Sequence, residues 1–91
     1  MESFNNVEIG ASIKKLREKC TSHGRYELYL LSIDRASSYI VYICNGNSGS
    51  SAQFFLAEEQ MNELFELMYK CELDHEHLGD VAVDNLVSLN L

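Results

Sequence analysis

Cys71, His75 and His77 stand in a C-x3-H-x-H spacing within an acidic stretch. Thiolate and imidazole are common zinc ligands, and a tetrahedral site would take its fourth from Asp74, Glu76 or a distant cysteine. The spacing matches no standard finger, and Cys71 also falls on the apolar stripe of a helix. Solvated histidines at a helix end are the simpler account, and neither a metal nor a cofactor is expected. With Asp74, Glu76 and Asp80 around them, the two histidines give this stretch a pH response near neutrality. Gly46-Asn47-Ser48-Gly49-Ser50 has the composition of a phosphate-cradling loop. It lacks the lysine of a P-loop and does not join a strand to a helix N-terminus, so a hairpin loop is expected. No nucleophile and base are placed together by spacing, and paired carboxylates on a helix are ordinarily a solvated face. The chain is therefore read as a non-enzyme.

Carboxylates dominate what remains. Residues 1–56 hold six basic and five acidic side chains, whereas residues 57–91 hold Lys70 against nine acids. The halves carry +1 and −8, which sum to the net charge of −7. So one-sided an acidic surface attracts a cationic partner and repels nucleic acid and anionic lipid. Direct nucleic-acid binding and membrane binding are thus not expected.

Ninety-one residues make one domain, read as residues 1–91, and 46% hydrophobic content suits a packed core. The N-terminus shows no basic and apolar signal pattern, and no apolar run approaches the ~20 residues of a membrane span. Three widely spaced cysteines, Cys20, Cys44 and Cys71, are an odd count. They are expected to be reduced thiols filling small apolar sites in a cytoplasmic protein.

The elements that position these residues follow from periodicity. Ile9, Ile13, Leu16 and Cys20 recur at i, i+4, i+7 and i+11, which predicts a first helix to about Thr21. Asn5 and Glu8 resemble its capping box, Gly10 delays its regular start to Ala11 or Ser12, and Gly24 is its left-handed stop. Strands are expected over Arg25–Ile33, Ser37–Cys44 and Ser51–Phe55, joined too tightly for parallel crossovers. Neither face of the first two strands is polar, so the outer one meets solvent, the C-terminal segment or a partner. Tyr29 and Tyr42, if on that outer face, would add apolar anchor area.

Ala57 to about Leu73 is the strongest helical segment. Met61, Leu64, Phe65, Met68 and Cys71 form one stripe, and Glu59, Glu63, Glu66 and Lys70 align opposite it. The tail from Asp74 to Leu91 packs as a short helix or a strand. The fold class is thus α+β: helix, three-stranded antiparallel meander, long amphipathic helix and packed C-terminal segment.

That order, helix, meander, helix, resembles the double-stranded-RNA-binding domain in topology. Ala57-Glu58-Glu59-Gln60 stands where that family needs a basic cluster, so its ligand is not carried over. The order, the small size and the acidic second helix also resemble small phage-encoded inhibitors of the anti-CRISPR type. That resemblance implies a protein that imitates nucleic acid and occupies the basic groove of a partner enzyme. Glu59, Glu63, Glu66, Asp74, Glu76 and Asp80 would then stand in for phosphates, with Tyr29 and Tyr42 as anchors. An immunity protein, or a chaperone holding one secreted effector, is the alternative. A homodimer is compatible with either.

Overall fold

The computed structural model describes residues 11–83. Four strands form one antiparallel meander in the order β1-β2-β3-β4. They are β1 (Ala11–Thr21), β2 (Gly24–Ile33), β3 (Ala36–Asn45) and β4 (Ser48–Phe54). Helix α1 (Glu58–Lys70) follows, then a 3-10 turn (His75–His77) and helical turns over 78–83. The class is α+β, as expected from sequence, but with four strands.

The expected first helix is a strand, and the reason is a β-bulge. Lys15 pairs with Tyr29 and Arg17 with Leu28, which leaves Leu16 as an extra residue. On a regular strand Ile13 and Cys20, seven apart, would point to opposite faces. The extra residue puts both on one face, opposite Leu31 and Arg25 respectively. Seven residues are also about two helical turns, so a bulged strand imitates a helical stripe. The helix-meander-helix order that carried both resemblances is therefore not the order found. The Asn5–Glu8 capping box and Ile9 lie outside the described residues.

Each hairpin has a two-residue loop, closed by Thr21 and Gly24, Ile33 and Ala36, and Asn45 and Ser48. In the second and third loops Asp34 and Gly46 take a positive φ, 57° and 66°, as tight hairpin turns favour. Gly24 opens β2 instead of stopping a helix. Its φ is +146°, and a Cβ there would lie 2.4 Å from the Cys44 carbonyl oxygen.

Register gives the sheet two distinct faces. Tyr26 lies opposite Ile43, Leu28 opposite Val41, and Tyr39 opposite Phe54 on the face that receives the helices. Met61, Phe65 and Met68 from α1 and Leu78 beyond it close the core against Tyr26, Leu28, Val41, Ile43 and Phe54. Leu64 is only partly buried, at the margin of that cluster. Tyr26 also ties the layers together, donating its hydroxyl to the Leu73 carbonyl at 2.8 Å. Burial chiefly pushes its phenol above the ordinary range, and the nearby Glu72 charge adds to this.

Both ends of α1 are closed locally. The Ala57 N–H donates to Gln60 Oε1 at 3.3 Å, one arm of a capping box, and Glu58 and Glu59 occupy the first turn. At the other end Glu72 takes a left-handed φ of 56°, and Leu73 N–H returns to the Met68 carbonyl at 2.9 Å. This is a Schellman-type stop with glutamate at the position glycine usually fills. Of the tail, residues 78–83 are helical, Leu78 is buried, and Val81 and Ala82 pack on the same core. Through Val83 the tail thus lies with the helices and leaves the other sheet face alone. The run Leu86–Leu91 lies outside the described residues.

Candidate functional site

The carboxylate row of α1 divides in two. Glu59 and Glu63 are exposed and make no ion pair among the described residues. Glu66 is held from both sides, by Arg17 Nη2 at 3.5 Å and by Lys70 Nζ at 3.8 Å. Arg17 reaches α1 because the bulge turns it onto the helix-covered face of β1. There its guanidinium lies 5.2 Å from the Phe65 ring centre and 5.9 Å from that of Tyr69. It donates to Asn62 Oδ1 at 3.4 Å and to the Tyr69 hydroxyl at 3.3 Å. Lys19, two residues on, stands 5.7 Å from the Tyr69 ring. Part of the basic charge of the first half is therefore spent on the acidic helix, beside aromatic rings.

Beyond α1, the remaining acids meet histidines. Asp74 caps the 3-10 turn by accepting from Glu76 N–H at 3.5 Å and lies 4.0 Å from His75. His77 faces Asp80 at 3.9 Å, and His23 of the first hairpin faces Glu72 at 3.1 Å. Every histidine of the chain thus has a carboxylate neighbour. Glu76 is exposed and makes no ion pair among the described residues. His75 is turned onto β4, with its Nδ1 3.1 Å from Ser50 Oγ. Among the described residues no group of His, Cys, Asp and Glu side chains is gathered to hold a metal ion.

The cysteines are free, as expected, but do not fill the core. Cys20 and Cys71 are exposed and Cys44 is half-buried. Cys20 follows the bulge onto the open face of an edge strand, and Cys71 caps the C-terminus of α1. Cys71 also lines an entirely apolar groove with Leu64, Leu67, Met68, Leu73 and Val81.

The outer sheet face carries Tyr29 and Tyr42, and also a cluster that the sequence reading missed. Glu27 is only 5% exposed although it faces away from the helices. It accepts from Arg25 Nε at 2.7 Å, lies 3.6 Å from Lys15 Nζ, and accepts a short hydrogen bond from the Tyr29 hydroxyl. Glu18, its cross-strand neighbour, is bridged by the same Lys15 at 2.8 Å. Burial pushes the Glu27 carboxyl up, but the Tyr29 hydroxyl and the Lys15 and Arg25 charges outweigh it and hold the group low. The same hydrogen bond is the main reason the Tyr29 phenol is raised. The alternation Arg25, Glu27, Tyr29 was the available signal, because residues two apart on a strand share a face. Among the described residues Tyr42 has no such partner, and its hydroxyl lies over Gly49, where a Cβ would stand 2.7 Å away. Among the described residues no other element covers this face, and Ile13 and Ile33 remain 59% and 49% exposed.

The fold and this surface define a small acidic α+β protein with two unlike faces. No known protein family matches the chain, and neither does any curated protein or any solved structure. No helix among the described residues is long and apolar enough to cross a membrane.

Proposed function

We propose that this protein acts by binding, not catalysis, as a small acidic inhibitor that occupies a basic, nucleic-acid-binding surface of a partner enzyme. The mode resembles that of anti-CRISPR proteins and other nucleic-acid mimics, acting in the cytoplasm. The observation that carries the reading is that, among the described residues, Glu59, Glu63, Asp74, Glu76 and Asp80 make no ion pair with a lysine or arginine. Glu66 is shared with Arg17 and Lys70, so it contributes less free charge. Unpaired surface carboxylates accelerate encounter with a cationic groove and make the complex weaken as salt rises.

The test uses the purified protein as bait in host-cell lysate at low and high salt, with and without competing DNA or RNA. A nucleic-acid enzyme retained at low salt and displaced by salt or nucleic acid is the expected result. Glu59→Lys with Glu63→Lys should then reduce retention at least tenfold without unfolding the protein, since both groups are exposed and neither makes an ion pair among the described residues. Normal retention by that double variant overturns the reading. The exposed Ile13 and Ile33 on the outer face support a second one. An immunity protein or effector chaperone would use that apolar area to hold one protein, with no competition from nucleic acid.

A further inference from the structure

The two edges of the sheet are built differently. β1 is protected as natural edge strands usually are. It carries Lys14, Lys15, Arg17 and Lys19, and the bulge at Leu16 breaks its regular ladder. β4 has no such protection. Its sequence, Ser-Gly-Ser-Ser-Ala-Gln-Phe, holds no charge, no proline and no bulge. The neutral stretch in fact runs from Ala36 through Ala57, in a chain of which 23% is charged.

The backbone of that edge is open. Asn45 and Ser48 close a two-residue loop, and in such hairpins the closing pair exchanges both of its hydrogen bonds. Ser48, Ser50, Ala52 and Phe54 are therefore spent on β3, while the N–H and C=O groups of Gly49, Ser51 and Gln53 point outward. These three residues are exposed and make no backbone hydrogen bond to any other element among the described residues.

We infer that β4 pairs antiparallel with β4 of a second copy of this chain, about a two-fold axis at Ser51. That register sets Ser51 opposite Ser51 and Gly49 opposite Gln53, so all three outward residues exchange both bonds. The side chains of β4 are small or neutral, so two chains of net charge −7 meet on strands that themselves carry no carboxylate. A basic strand from another protein would find no opposite charge on β4, which favours the second copy. Seven paired residues span about 24 Å. Phe55, 53% exposed beside the seam, and Tyr42, lying over Gly49, widen that strip toward the ~800 Å² per partner of a stable interface. The axis stands perpendicular to the sheet, so both helix layers fall on one side of a doubled sheet. The charged and bulged β1 edges end the assembly at two copies.

Sedimentation or light scattering on the full chain across a concentration series reads this directly. The expected species is a dimer of the 10.4 kDa chain that tightens as salt rises, because screening relieves the repulsion between like-charged copies. This is opposite in sign to the salt effect on a basic partner. Ser51→Lys brings two ammonium groups together at the axis and should return the protein to monomer with an unchanged circular dichroism spectrum. Ser51→Pro removes only an outward N–H and should do the same. Amide exchange at Gly49 and Gln53 should be slow in the native dimer and fast in Ser51→Lys. A native chain that is monomeric at every concentration overturns the inference, as do assemblies larger than two. A dimer surviving in Ser51→Lys with those amides still fast also overturns it, placing the second copy elsewhere. Protection of those amides only on adding a foreign peptide assigns the edge to another protein and overturns it equally.

Discussion

Under the helices, Tyr26, Leu28, Val41, Ile43 and Phe54 are buried among apolar side chains from α1 and Leu78. On the other side of the same strands Glu27 is nearly as buried, yet its neighbours are Lys15, Arg25 and Tyr29. The first face is stabilised by area removed from water, the second by mutual satisfaction of charged and polar groups in their own plane. Burial alone therefore does not mark the core of this protein. A buried carboxylate can sit on an open sheet face when its neighbours fold over it and fill its lone pairs.

The comparison can be broken hardest from the helix side. Phe65→Ala removes a fully buried ring from the centre of the core and also the ring under Arg17. It should cost about 3–5 kcal/mol in denaturant unfolding. On the outer face, Glu27→Ala leaves Arg25 and Tyr29 without their acceptor and should cost about 1–3 kcal/mol. Its pH signature separates it from a packing defect. The folded carboxyl is held below its unfolded value of about 4.3, so its contribution is complete above that pH. The contribution is lost as pH falls through the lower, folded value, so Glu27→Gln should flatten the acid limb of the stability curve. An unchanged acid limb would mean the cluster contributes nothing to folding.

Between the faces stands Arg17, the residue that joins β1 to α1. Arg17→Ala loses two ring contacts and two hydrogen bonds and should cost about 1–2 kcal/mol. Glu66→Lys would set a cation against Arg17 and should destabilise measurably, whereas Glu63→Lys, at an exposed position with no ion pair among the described residues, should stay within about 0.5 kcal/mol. Equal effects of these two reversals on the thermal midpoint would contradict the division of the carboxylate row. The smallest change is expected for Ile33→Ser on the open face, within about 0.5 kcal/mol because the residue is already half exposed. A loss of more than 2 kcal/mol there would show that the face is covered in solution.

Much of this organisation was legible in the residues. The stripe Met61, Phe65 and Met68 marked α1 because a regular helix repeats without interruption, and Tyr39 to Cys44 marked β3 through its β-branched and aromatic run. Short connections made the sheet an antiparallel meander. β1 was misread because one bulged residue converts a two-residue alternation into a seven-residue coincidence that also fits a helix. Its cations then looked like the solvated face of that helix. The exposed acids were legible in number and helical position. That Glu66 is neutralised and Glu59 and Glu63 are not was invisible, since Arg17 lies nearly fifty residues away in sequence.

Composition and local periodicity thus determined the acidic second half, the amphipathic α1 and the α+β class, because these depend on neighbours within one turn or one hairpin. Tertiary structure alone decided which charges remain free, which face Glu27 occupies and which edge is left open. Those outcomes depend on register and on contacts between distant strands, where a single extra residue exchanges one face for the other.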